Sequence, residues 1–405
     1  MLTPRIGSRL GLTEITALIM LVDGIGLSIV LPYIPFYVLQ LGGDAQLVAL
    51  LFAVFTLAGF FAAPVIGQLS DQHGVRRILC LSLLGTIVSY LGMIVSGNLL
   101  MLFVFRALGG AMTGRDAVLQ ALISAEGSQA ARARRVGFAT SAGLVGAAAG
   151  PTIAALIGLV IHNQPVEIMA TLTVGLTLSA GALAVSALSL PRRPTGVSVP
   201  VVGRLKILGD LDALREQAIP ILTRVGLNYG IGLAFAINTM FLFSRFGWRA
   251  SSTAWLIGIT ALLGAAGRGL VAQPAIRMFG TKGALLGAIA VGAAAFVGMA
   301  LSATALIYAV LFALYIMVHN VALVCNLLQI SDRAPPARRG LAFGVVQSAG
   351  GLTLAVSASL SGYLFVAANP RAPYFAAAVV LLLTLAAMAV AFGAARRKPV
   401  QLLAD

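Results

Sequence analysis

Long apolar runs follow one another from Thr13 to Ala395, separated by short segments that carry glycine, proline or charge. Each run approaches or exceeds the roughly 20 apolar residues that a helix needs to cross a bilayer core of about 30 Å. Their limits predict helices near 13–41, 47–70, 78–97, 98–124, 136–160 and 165–190, and then near 218–243, 250–273, 283–302, 303–330, 340–366 and 372–395. The run Thr13–Leu41 is too long for a signal peptide and lacks a small-residue cleavage pattern before the next run, so it is expected to remain as the first helix. Composition agrees with an all-α membrane protein of twelve spans. Of 405 residues, 60% are hydrophobic and 10% charged, far more apolar surface than one soluble core can hide.

The one long polar connection, Pro191–Gln217, divides the chain into an N-terminal six-helix bundle at 1–190, a linker at 191–217 and a C-terminal six-helix bundle at 218–405. Within the linker Leu205, Leu208, Leu211 and Leu214 recur every three residues among Arg204, Asp210, Asp212, Arg215 and Glu216. This spacing predicts an amphipathic helix on the inner membrane surface; a disordered tether is the alternative. The halves echo each other. Gly74-Val75-Arg76 corresponds to Gly280-Thr281-Lys282, and Arg134-Arg135 leading to Ser141-Ala142-Gly143 corresponds to Arg338-Arg339 leading to Ser348-Ala349-Gly350. A parallel repeat of this kind implies two bundles of like orientation with a site between them at mid-membrane.

The formal net charge of +15 would suggest nucleic acid in a soluble chain, but here placement matters more than the sum, and no nucleic-acid partner is expected. Most basic residues fall in alternate loops, including Arg76, Arg77, Arg134, Arg135, Arg277, Lys282, Arg396 and Arg397, whereas the opposite loops hold Arg245, Arg249 and Arg371. The positive-inside bias places both termini in the cytoplasm. The excess of arginine over lysine, with abundant alanine and glycine, points to a GC-rich bacterial genome, and with the apolar spans the expected location is a bacterial inner membrane. Cys80 and Cys325 read as small packing residues. No hydrolytic triad, metal-ligand cluster, phosphate loop or nucleotide motif appears, which argues against an enzyme, a cofactor or ATP-driven transport.

The segment after the second helix reads Gly67-Gln68-Leu69-Ser70-Asp71-Gln72-His73-Gly74-Val75-Arg76-Arg77. Gly67 permits close helix approach, Gly74 permits a tight turn, and Asp71 can meet a helix N-terminus or an arginine. In the repeat copy Gln273 and Arg277 replace Gly67 and Asp71. The fourth helix carries Arg106-Ala107-Leu108-Gly109-Gly110. The fifth carries Gly146-Ala147-Ala148-Ala149-Gly150-Pro151, whose small residues permit tight contact and whose proline loosens the helix. The first reads LVDGIGLSIVLPYIPFY from Leu21 to Tyr37.

These segments resemble the major facilitator superfamily, and within it the drug:proton antiporter branch that includes tetracycline exporters. The resemblance implies the major facilitator fold, with helices one, four, seven and ten lining the cavity. It also implies a gating motif of Gly67, Asp71, Gly74, Arg76 and Arg77, an antiporter motif of Gly146, Gly150 and Pro151, and export powered by a proton gradient. Three features depart from that branch: Ala154 and Ala155 replace a closing glycine pair, the ninth helix has no acid, and the fourth carries Arg115-Asp116. The last two argue against tetracycline itself as the solute.

Charges at mid-membrane cost at least about 2.5–3.5 kcal/mol, so those retained face a cavity or a partner. They are Asp23, Arg106, Arg115, Asp116, Arg224 and Arg268, joined by His319. Asp23 lies about 15 Å along its helix, near the midplane. It is expected either to carry a proton or contact solute, or to form a fixed ion pair with a fourth-helix arginine. Asp116 is the second proton candidate. Arg106, Arg115, Arg224, His319 and Asn320 are the remaining substrate-binding candidates, with snorkelling as the alternative for Arg224. The reading is a monomeric, proton-coupled exporter of a small molecule, surrounded by lipid. Its rival is a carrier that takes up an organic anion or metabolite.

Overall fold

The computed structural model describes residues 11–124, 129–190, 217–334 and 339–397. Its helices are α1 (Leu12–Ile29), α2 (Ile34–Gln40), α3 (Ala45–His73), α4 (Val75–Ile94), α5 (Leu99–Met112), α6 (Arg115–Ser124), α7 (Gln129–Val160) and α8 (Gln164–Ser189), followed by α9 (Ala218–Phe246), α10 (Ala250–Ala266), α11 (Ala272–Leu301), α12 (Ala305–Arg333), α13 (Arg339–Ala367) and α14 (Ala372–Arg397). Among the described residues, ten helical stretches are long and apolar enough to cross a membrane. One of them, Ala250–Leu301, runs 52 residues through α10, a π-helical turn at Gly267–Val271 and α11. That is about 78 Å, more than twice a bilayer core, and the chain turns within it at Gly280, where φ is 67°. With this stretch counted as two spans and α5 with α6 as another, the described residues account for the twelve expected.

Two spans are broken where continuous helices were expected. The first divides into α1 and α2 around Leu31–Tyr33, because Pro32 and Pro35 each remove a backbone donor and Pro32 clashes with the preceding turn. The fourth divides at Thr113 and Gly114, where α5 packs tightly on α3: a Cβ at Gly114 would lie 2.8 Å from Ala63 Cα. The eighth is a regular helix only to Ala266 before its π-turn. The surface helix expected within the linker lies outside the described residues. The paired loop glycines do behave alike, Gly74 at φ 87° and Gly280 at φ 67°, both in the region where a side chain is strained.

By packing, the chain forms two units. Unit 1 contains α1–α8 together with Thr239–Leu262; unit 2 contains the described residues of Arg204–Asn238 and Leu263–Asp405. In unit 1 the antiporter-motif glycines bring α7 against α1. A Cβ at Gly146 would lie 2.1 Å from Leu21 O, one at Gly150 2.6 Å from Ile25 O, and one at Gly24 2.3 Å from Gly143 O. Backbones meet at this distance only where side chains are missing. Pro151, Ala154 and Ala155 continue the buried face. In unit 2, Tyr308 donates to Asn238 Oδ1 and lies 2.8 Å from Tyr374 Oη, beside the packed rings of Phe296 and Tyr315. Large apolar side chains such as Phe61, Leu188, Leu306 and Val390 face outward, as a lipid-covered surface requires.

Candidate substrate and proton site

Asp23 sits near the middle of α1, and its carboxylate meets Arg115 at the first position of α6. Arg115 Nε donates to Asp23 Oδ2 at 2.5 Å and Nη2 donates to Oδ1 at 2.6 Å. Nη1 donates to Thr86 Oγ1 at 2.8 Å and to Met112 O at 2.9 Å, so all three guanidinium nitrogens are engaged. The two side chains are 11% and 7% exposed, so the pair is largely desolvated. The break between α5 and α6 releases Met112 O from the helical ladder, and Arg115 supplies it with a donor.

Arg106 occupies the same region in a different state. It is 4% exposed, its guanidinium lies 4.1 Å from the centre of the Phe55 ring, and Nε and Nη2 are buried without hydrogen-bond partners. Both arginines and Asp23 line a cavity of about 250 Å³ inside unit 1. Gly26, Thr86, Ser89, Tyr90 and Ser179 contribute to its walls, and Tyr90 Oη donates to Gly26 O. The cavity therefore offers one compensated ion pair, one uncompensated cation over an aromatic face, and several hydroxyl groups.

Of the residues expected from sequence, Asp23, Arg106 and Arg115 share this cavity. Asp23 lies in an ion pair, as one of the two expectations had it. The side chains of Asp71 and Asp116 lie outside the described part of the structure. In the gating segment, Gly67 is buried, Gly74 makes the turn, Arg76 Nη2 donates to Ala187 O at the end of α8, and Arg77 is exposed. Arg224, Arg268, His319 and Asn320 form a second group within unit 2. Arg224 is buried, which corrects the snorkelling alternative: its side chain packs against Gly350 of α13. The sequence reading missed Glu167. This acid in the first turn of α8 is 1% exposed, and Tyr33 Oη donates to its Oε1 at 2.6 Å. A single acid directly after a loop looks solvent-facing in sequence; the signal was the absence of any acid nearby to share that loop.

Polar groups retained at such depth in an apolar helical protein belong to one that passes something across the membrane, and the fold places the chain among multi-pass membrane transporters rather than enzymes. The family can be stated more closely: residues 16–334 match the Major Facilitator Superfamily, and the chain belongs to it. The tetracycline resistance protein, class C, of Escherichia coli is 29% identical over 285 residues, which cover 69% of this chain and 70% of that protein. The crystal structure of the human organic anion transporter MFSD10 (TETRAN) superposes with a TM-score of 0.67 at 19% identity, covering 93% of this chain and 98% of that one. The nucleoside transporter NupG gives a TM-score of 0.76 at 15% identity, covering 95% and 99%. The structural likenesses concern the fold alone.

Proposed function

We propose that the chain exports a small organic or amphiphilic solute in exchange for protons, by alternating access, and works as a monomer in a bacterial inner membrane with both termini in the cytoplasm. The observation that carries this reading is the Asp23–Arg115 pair in the wall of a cavity. An ionised Asp23 holds Arg115; a proton on Asp23 removes the negative charge and releases Arg115. A solute group that replaces Arg115 on the carboxylate excludes the proton, and the proton excludes the solute. Mutual exclusion at one carboxylate is the condition for exchange. Likeness to a tetracycline resistance protein supports outward transport, since a transporter protects a cell by moving a drug out.

Arg106 favours a second reading, proton-coupled uptake of an organic anion, because its guanidinium has no counter-charge among the described residues. The two readings differ in linkage. An anion drawn to Arg115 displaces Asp23 and favours its protonation, so solute and proton bind together and travel together. In everted membrane vesicles with an acid interior, the exchange reading expects solute accumulation that a protonophore collapses. Uptake into intact cells that rises as the medium is acidified, with no accumulation in everted vesicles, would replace export by the second reading.

A further inference from the structure

Unit 2 carries a positive cluster that its described acids do not balance. Arg224 of α9 is 6% exposed, and its Nε is buried without a hydrogen-bond partner. Its stem is fixed between helices: a Cβ at Gly350 would lie 2.8 Å from Arg224 Cγ, and neighbouring Asn228 Nδ2 donates to Gly350 O at 2.9 Å. Arg268, in the π-turn, is exposed, and its Nε donates to Asn320 Oδ1 at 2.6 Å. Asn320 is itself oriented by a 2.8 Å bond from Nδ2 to Ile316 O. His319 is 5% exposed with Nδ1 unpartnered, and it precedes Asn320 on α12, the helix whose Asn326 Nδ2 donates at 2.9 Å to Pro220 O of α9, one turn before Arg224. Among the described residues of unit 2 the one acid is Asp332, exposed in the last turn of α12. It stands about 20 Å along the helix from His319.

A guanidinium buried without counter-charge is costly, and in a membrane protein a retained charge of this kind marks a substrate or ion pathway. We infer that Arg224 and Arg268, with His319 and Asn320 beside them, form a site in unit 2 for a carboxylate or phosphate group. A planar guanidinium offers either group two parallel N–H donors, which a neutral or cationic ligand cannot use. Asn320 occupies Arg268 Nε and leaves its terminal nitrogens to the ligand; the buried His319 Nδ1 adds a further polar contact. The group can belong to a soluble molecule or to an anionic lipid. The inference extends the transport reading, because an anion held here would be cargo or a bound lipid of the transporter. It does not involve Asp23, so failure of proton coupling leaves it standing, and failure of anion binding leaves proton coupling standing.

The test uses the purified full chain in neutral detergent, titrated by calorimetry with benzoate, inorganic phosphate, benzyl alcohol and benzylamine. The result expected is binding of benzoate or phosphate in preference to the other two, weakened at least tenfold in Arg224→Gln and in Arg268→Gln. Arg224→Gln should unfold at the same temperature as the wild type or higher when empty, because it loses an unbalanced buried charge. A parallel arm places the chain in nanodiscs of phosphatidylcholine with or without phosphatidylglycerol. Stabilisation of wild type but not of the arginine variants by the anionic lipid, without binding of soluble anions, would assign the site to a headgroup. The inference is overturned if neither arm shows a preference for anions, if the variants bind as well as wild type, or if Arg224→Gln no longer folds.

Discussion

Arg115 holds Asp23 at two points, Nε to Oδ2 at 2.5 Å and Nη2 to Oδ1 at 2.6 Å, although 92 residues separate them in sequence. Removing one partner of a buried pair strands the other, at a cost of about 3–5 kcal/mol. Asp23→Asn keeps one acceptor oxygen for Arg115, so its loss should fall at or below the lower end of that range, while gradient-driven transport disappears. The double variant Asp23→Asn/Arg115→Gln should recover much of the stability and none of the transport. Thermal unfolding in detergent with vesicle transport assays would check both; additive single-variant losses would show that the pair is not energetically coupled.

Arg106 and Arg115 line one cavity but should respond in opposite ways. Arg115→Gln removes four hydrogen bonds and leaves Asp23 buried, so its unfolding temperature should fall. Arg106→Gln removes an unpaired charge and a contact with Phe55 worth about 1 kcal/mol, so stability should change by no more than about 1 kcal/mol. Equal losses in both variants would mean that Arg106 is held by something other than Phe55.

The contact between α1 and α7 leaves no room for a side chain at Gly146 or Gly150. Gly146→Val should abolish accumulation of folded protein, because the new Cβ would overlap Leu21 O and backbone cannot yield as a side-chain tip can. Gly137→Ala, on the same helix but in open space, should be neutral or stabilise by up to about 1 kcal/mol through helix propensity. Size-exclusion profiles of the two variants would separate packing from helix propensity.

Glu167 depends on Tyr33 for its hydrogen bond. Tyr33 Oη lies 2.6 Å from Glu167 Oε1 and 2.8 Å from Ala154 O, and one hydroxyl proton can serve only one of them at a time. Tyr33→Phe should therefore destabilise by about 1.5–3 kcal/mol, the range for a bond to a charged group. Adding Glu167→Gln should reduce that loss. If Tyr33→Phe unfolds with the wild type, the carboxylate has another donor.

At the turn between α3 and α4, Gly74 stands at φ 87°. Its ψ of 140° takes it outside the left-handed helical well into extended backbone that essentially only glycine adopts, so Gly74→Ala should cost about 1–3 kcal/mol. Gly280→Ala, at φ 67°, should cost a similar amount despite its open surroundings. A smaller loss at either position in thermal unfolding would indicate that the turn relaxes.

The sequence by itself determined the helical class, the number and approximate limits of the spans, and the small-residue face on α7. Those properties follow from local demands: lipid requires about 20 apolar residues per crossing, and close backbone approach requires missing side chains. It also marked Asp23, Arg106 and Arg115, because charges at mid-helix are too costly to be incidental. Only the tertiary structure decided their partners. Arg106 and Arg115 lie nine positions apart on one expected helix, and the break at Thr113–Gly114 with the packing of α1, α4 and α6 gave Asp23 to Arg115 and left Arg106 over Phe55. Glu167, in the first turn of an expected helix, drew no role from sequence until Tyr33 closed over it, and the choice between a site and the water's edge for Arg224 was made only when α13 packed against its stem. Hydropathy records how apolar each segment is; which charge meets which depends on contacts between helices far apart in the chain.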